Sequence, residues 1–260
     1  MEIVDLSFRQ YGESGTAVVI LHGLFGSSRN WESFARKLSN SFRIFNVDLR
    51  NHGESPHTEK MDYLSMAADV HSLLDRQGLE NAILLGHSMG GKTAMWLALS
   101  NSQRVQGLII VDIAPVAYPN RFETILSHLN SLPLADVQSR QDADKLLSRQ
   151  ITDRSLRLFL LQNLMNTGTN YQWRINLPAI GEGLADISSF PDLEKSVTFN
   201  RKTLFIRGAN SDYITPSHHS TLREMFPEAE IYTIADAGHW VHAEQPEALY
   251  VMITDFLEGI

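Results

Sequence analysis

The chain has no cysteine. That excludes a disulfide framework and thiolate chemistry. No apolar run approaches the roughly 18 residues that would span a bilayer. Basic residues form no long run and the formal net charge is −8, so neither nucleic acid nor an anionic membrane is an expected partner. His-Glu-x-x-His and Cys/His ligand spacings are missing, so no metal site is expected. Gly-x-Gly-x-x-Gly is missing too, and a phosphate-cradling loop is not expected. The opening Met1-Glu2-Ile3-Val4-Asp5 lacks the basic and apolar regions of an export signal, which makes the cytoplasm the expected location.

What the chain does have is organised around Gly86-His87-Ser88-Met89-Gly90-Gly91. The apolar run Ala82-Ile83-Leu84-Leu85 before it reads as a buried strand, and the Ala- and Leu-rich Lys92–Leu99 after it reads as a helix. A serine between glycines at a sharp strand-to-helix turn is the context of a nucleophile elbow. Gly86 and Gly90 leave room where a Cβ would clash, and the helix N-terminus aims N–H groups at the site.

Further strands are expected at Phe8–Tyr11, Ala17–Leu21, Phe42–Val47, Val105–Val111, Lys202–Ile206 and Glu230–Ile234. Further helices are expected at Trp31–Leu38, Tyr63–Gln77 and Ala248–Leu257. This alternation implies an α/β fold: a mostly parallel, twisted sheet with helices on both faces. Between 116 and 199 the rhythm stops. Helical patterns run over Arg121–Leu132, Asp136–Arg149 and Ser155–Met165, then glycine and proline cluster from Gly168 to Gly183. The reading is a core of residues 1–115 and 200–260 with a helical cap, 116–199, inserted in it.

A serine needs a base to take its proton, and the base needs an orienting acid. His239, in the loop after the last strand, is the expected base. His242 ranks second, and His71, His128, His218 and His219 read as packing or solvated residues. Two aspartates follow strands, Asp112 and Asp212, and either is placed to be the acid. The oxyanion donors are expected to be the N–H groups of Met89 and Leu24. His22, Phe25 and Trp240 are the candidate substrate-binding residues, His22 also holding its own loop. Phe122, Leu126, Phe159, Leu160 and Trp173 supply enough apolar surface for an acyl pocket.

Together His22-Gly23, Asp48-Leu49-Arg50-Asn51-His52-Gly53-Glu54-Ser55, the elbow, Val111-Asp112-Ile113-Ala114-Pro115 and Gly238-His239-Trp240-Val241-His242-Ala243-Glu244 resemble the α/β-hydrolase superfamily. More narrowly they resemble the bacterial YbfF-type esterases, which are similar to mammalian mitochondrial abhydrolase-domain proteins. Asn51 stands where many superfamily members have glycine. The resemblance implies a serine hydrolase that cleaves carboxylic esters, and acyl-CoA thioesters as a further class, through a Ser-His-Asp triad and an acyl-enzyme, with no cofactor. Its partner would be a small-molecule ester or thioester with an apolar acyl group; no oligomeric state follows. The resemblance marks Asp112 as the acid. Asp212 lies at the usual superfamily location, but one residue beyond the common Gly-x-x-Asp spacing, and stays the alternative. C–C bond hydrolysis, cofactor-free haloperoxidase activity or non-catalytic ligand binding would be other uses of the scaffold. A haloalkane dehalogenase is disfavoured, since its elbow carries Asp where this chain has Ser88.

Overall fold

A strand covered on both faces must be apolar along its whole length, and the central runs of this sequence meet that demand. The computed structural model describes residues 2–194 and 196–260. Its elements run β1 (Phe8–Tyr11), β2 (Ala17–Leu21), α1 (Glu32–Leu38), β3 (Arg43–Val47), α2 (Tyr63–Arg76), β4 (Ala82–His87), α3 (Met89–Ser100) and β5 (Val105–Val111). The chain then leaves the sheet for α4 (Glu123–Asn130), α5 (Arg140–Leu147), α6 (Arg154–Leu161), a ribbon of β6 (Leu164–Asn166) and β7 (Tyr171–Trp173), α7 (Leu177–Glu182) and α8 (Leu184–Ser188). It returns as β8 (Thr203–Gly208), α9 (His219–Met225), β9 (Ala229–Ile234), α10 (Val241–Glu244) and α11 (Pro246–Glu258). Among the described residues no helix is long and apolar enough to cross a membrane.

The main sheet has the order β1-β3-β2-β4-β5-β8-β9. β1 is antiparallel to β3 and the other pairs are parallel. Successive side chains go to opposite faces. Val19, Leu21, Leu84, Ile110 and Phe205 join Met66, Val70, Leu73 and Met95 of α2 and α3 in one core. Val18, Ile20, Ile83, Leu85, Ile109 and Ile206 join Phe34 and Leu38 of α1 and Leu249, Ile253 and Leu257 of α11 in the other. The strand order reverses between β2 and β4. Open α/β sheets bind ligands outside the carboxyl ends of the strands at such a switch point, and the loops leaving these two strands carry Leu24 and Ser88.

Three expectations are corrected. The helix expected over Ser155–Met165 stops at Leu161, because Leu164–Asn166 pairs antiparallel with Tyr171–Trp173. The helix expected from Asp136 starts at Arg140, where Ser139 accepts the Asp142 N–H at 3.1 Å and caps it. The Gly168–Gly183 stretch holds the whole of α7: Pro178 sits in its first turn, where a missing N–H does no harm, and the Asn176 side chain accepts the Ala179 N–H.

Arg50 and Asp69 have fully buried side chains and pair through two bonds of 2.7 and 2.9 Å. Arg50 also donates to the carbonyls of Glu2, Lys60 and Ser65. Removing one partner of such a pair leaves a buried, uncompensated charge. Asp69→Asn is therefore expected to lower stability by about 3–5 kcal/mol, read by denaturant unfolding; a loss within error would contradict the pair's role.

Candidate active site

Ser88 joins β4 to α3 with φ 52° and ψ −119°, a strained conformation of the kind that persists where the surroundings over-determine it. The surroundings here are backbone. A Cβ on Gly86 would lie 2.3 Å from the carbonyl oxygen of Gly90, and one on Gly90 would lie 2.3 Å from that of Leu21. Only glycine lets the elbow close this tightly.

The hydroxyl meets its partners across long stretches of chain. Ser88 Oγ lies 3.0 Å from His239 Nε2, and His239 Nδ1 lies 2.8 Å from Asp112 Oδ2. Asp112 is fully buried and also has a positive φ, 53°. Its Oδ1 accepts the Gly208 N–H at 3.0 Å, and its Oδ2 accepts the Ser211 hydroxyl as well. Because Nδ1–H is directed at the carboxylate, Nε2 is left with its lone pair toward Ser88. Tyr213 stacks on the His239 ring with centroids 3.9 Å apart. His87 donates Nε2–H to the His239 carbonyl at 2.9 Å. Burial lowers His87 well below the ordinary imidazole value, so it stays a neutral donor.

The rival residues are elsewhere engaged. Asp212 is exposed and forms a bidentate pair with Arg121, at 2.9 and 2.6 Å. The Arg121 bonds hold its carboxyl below the usual range. His242 lies on α10, stacked on Trp31 at 4.7 Å. Burial pushes it down to about 4.

The loop after β2 is held by two histidines. His22 donates Nδ1–H to Gly23 O at 2.8 Å and accepts the Leu49 N–H at 3.0 Å. Both its ring nitrogens are thus spent on the loops, which leaves it no hydrogen bond for a substrate. His52 donates to Arg50 O and accepts the Phe25 N–H at 3.2 Å. Asp48 accepts the N–H groups of Ser28 and Glu54. Asn51, at φ 64°, does what glycine does elsewhere and adds bonds to Thr58 and to Asn176 of the inserted block. With the Phe25 N–H taken, the Leu24 and Met89 N–H groups have no acceptor among the described residues.

A cavity of about 290 Å3 opens on this group. His22, Leu24, Phe25, Ser88, His239 and Trp240 line it, as do Phe122, Ile125, Leu156 and Phe159 from the inserted block. Leu126 and Leu160, expected at the acyl pocket, are instead buried in the packing of that block, and Trp173 Nε1 donates to Leu129 O. The sequence reading assigns no role to Ser211, Tyr213 or His87; the unusual spacing at Asp212 marks the neighbourhood of the first two, and His87 lies inside the elbow motif itself.

The sequence reading counts the phosphate-loop spacing Gly-x4-Gly-Lys-[Ser/Thr] as absent, and that is corrected here: Gly86–Thr93 satisfies it. The structure gives it another use. Lys92 Nζ is bonded to Val116 O and Ser189 O, and Thr93 Oγ1 to Met89 O.

The neutral histidines carry a pH dependence. Burial lowers His52 to about 3 and His242 to about 4, and lowers His22 and His87 as well. An unfolded imidazole titrates near roughly 6.5. Between that value and the folded ones the unfolded chain binds more protons, so stability rises with pH across the window. At pH 5, His52 and His242 are each expected to have withdrawn about 2 kcal/mol. Thermal unfolding should show Tm falling steeply from pH 7 to 5; a flat Tm would contradict the neutral, buried rings.

A sequence model of the alpha/beta hydrolase fold matches residues 16–246. The chain is 40% identical over 249 residues to the sn-1-specific diacylglycerol lipase ABHD11 of Mus musculus, covering 93% of this chain and 80% of that one. It is 37% identical to esterase YbfF of Escherichia coli K12 over 95% of each chain. Among solved structures, a marine microorganism esterase superposes with a TM-score of 0.94 at 39% identity, covering 97% of this chain and 99% of that one.

Proposed function

We propose, from the premise that this chain belongs to the α/β-hydrolase family and is a carboxylesterase-type hydrolase, that it works as a serine hydrolase with Ser88 as nucleophile, His239 as base and Asp112 as acid. The observation that carries the reading is the continuous line from Ser88 Oγ through His239 to Asp112, at 3.0 and 2.8 Å.

In this reading Ser88 Oγ attacks the ester carbonyl carbon while its proton passes to His239 Nε2. The carbonyl π pair moves onto oxygen, where the Leu24 and Met89 N–H groups receive it. The C=O bond re-forms, the C–O bond to the alcohol breaks, and the alkoxide leaves with the proton from His239. Water then gives a proton to His239, attacks the acyl-serine, and releases the acid and Ser88. A thioester would follow the same path with a thiolate leaving group. Residues 116–199 act as a cap over the site, a reading supported by Arg121, Phe122, Ile125, Leu156 and Phe159 in the cavity wall.

That wall is mostly apolar, which supports an apolar acyl group in a small-molecule ester. Each methylene buried is worth about 0.8 kcal/mol, so kcat/KM should rise about fourfold per added methylene until the cavity is full. A panel of p-nitrophenyl esters graded by acyl length tests this, and equal rates on charged hydrophilic and medium-chain acyl esters would count against it. A fluorophosphonate probe tests the class itself: it should label Ser88, and failure to label would favour ligand binding without catalysis.

A further inference from the structure

Lys92 lies one helical turn beyond Ser88 on α3 and is 2% exposed. A buried ammonium is costly unless hydrogen bonds replace its hydration. Among the described residues no carboxylate pairs with it, and desolvation is what perturbs it, lowering the amine to about 7. Its Nζ donates to Val116 O at 2.7 Å, Ser189 O at 2.6 Å and Ser188 O at 3.3 Å. An ammonium has three N–H donors, and these acceptors take all of them.

The acceptors come from two separate places. Val116 lies where the chain leaves β5 for the inserted block; Ser188 and Ser189 lie at the end of α8, where it starts back. The two places also meet directly, the Tyr118 N–H donating to Ser188 O at 2.8 Å. Tyr63 of α2 donates its hydroxyl to Ile187 O at 2.6 Å. Beside them is a cavity of about 20 Å3, lined by Ser88, Met89, Lys92, Tyr118, Ile187 and Ser188 among others. Both roots of the inserted block therefore hang from one amine on the helix that carries the nucleophile.

We propose that Lys92 is a specificity-determining positioning residue, whose ammonium clasps both roots of the cap to α3 and so fixes the wall beside Ser88. Its role in selectivity rests on the serine-hydrolase reading above; the clasp itself does not. Losing a proton leaves two N–H donors and a lone pair for three carbonyls, so the clasp loosens as pH rises through the neutral range. The groups facing Lys92 are Tyr118, with its ring centroid 4.8 Å from Nζ, and Tyr63, at 5.6 Å. Burial raises both phenols, so they stay neutral while the amine titrates. Ser188 Oγ, buried in the same wall, has no partner among the described residues.

The test is Lys92→Met in the full chain, which keeps an unbranched side chain one atom shorter and removes its donors. Hydrogen exchange followed by mass spectrometry should quicken about tenfold at both roots, around Val116 and around Ser189, the scale of one lost charge-assisted hydrogen bond. Exchange in β4 and β5 should not change. The ratio of kcat/KM between acetyl and octanoyl esters should shift by a similar factor, with Ser88 still labelled by a fluorophosphonate. Unchanged exchange at either root, or an unchanged ratio in a protein that labels, overturns the proposal. A wild-type protein that fails to label overturns the hydrolase reading instead, and the exchange result still judges the clasp. Where Lys92→Met does not fold, the wild type from about pH 6 to about pH 9 decides. After correction for intrinsic rates, protection at the two roots should fall relative to the sheet, and constant protection overturns the proposal.

Discussion

Ser88→Ala protein is expected to fold, and to hydrolyse p-nitrophenyl esters about 10^6-fold more slowly in kcat, the scale on which subtilisin suffers when its serine is removed. The fold should survive because the elbow is held by backbone contacts rather than by the hydroxyl. Gly86 and Gly90 pass within van der Waals reach of neighbouring main chain, and alanine keeps the same Cβ at the same positive φ. What disappears is the one oxygen in line with His239 Nε2 at 3.0 Å. Residual hydrolysis would come from binding and from the Leu24 and Met89 N–H groups acting on a water. The measurement is steady-state kinetics on protein whose circular dichroism and Tm match the wild type. Wild-type-like turnover by that protein would overturn Ser88 as nucleophile.

How much of this arrangement could be read in the sequence depends on how local its cause is. The elbow is a local device: an apolar run, a glycine-flanked serine and a helix within about one supersecondary unit, so its residues are adjacent in the chain. The sheet is legible for a related reason. A strand buried on both faces needs a continuous apolar run, as Ala17–Leu21 and Leu108–Val111 provide. The hydroxyl of Ser211 on Asp112 spans 99 residues, and a loop serine carries no periodicity that announces such a bond. His52 is similar: its motif was visible, but its work, accepting the Phe25 N–H, lies 27 residues away. The start of β6 reads as the end of a helix because three residues are too few for a period of two to be told from one of 3.6, and β7 is equally short. Leu126 and Leu160 show the limit of an amphipathic pattern. It tells which face of a helix is apolar, not whether that face meets a cavity or another helix.

The identity of the acid is where the two levels of reading meet, and a pair of isosteric changes decides it. Asp112→Asn is expected to lower kcat by up to about 10^4, as an orienting aspartate does in a serine protease, and Asp212→Asn to leave it nearly normal. The size of the first effect follows from what surrounds Asp112. Its Oδ1 receives the Gly208 N–H at 3.0 Å and its Oδ2 receives His239 Nδ1–H at 2.8 Å. An amide has only one oxygen to offer. If that oxygen faces His239, the NH2 meets the Gly208 N–H head on inside a fully buried site. If the amide turns, its NH2 faces Nδ1, the imidazole moves its proton to Nε2, and the base can no longer take the proton of Ser88. Either way a bond is lost where water cannot substitute. Asp212 has no such constraint. Its carboxylate is exposed and paired with an exposed Arg121, and surface pairs of this kind are worth about 0–1 kcal/mol. Asparagine there keeps an oxygen for the guanidinium, and His239 keeps Asp112. Single-turnover or steady-state kinetics on both variants, with unfolding curves to show that each is native, gives the answer. A crippled Asp212→Asn beside a nearly normal Asp112→Asn would move the acid to Asp212, and two mild effects would mean that either carboxylate can orient His239.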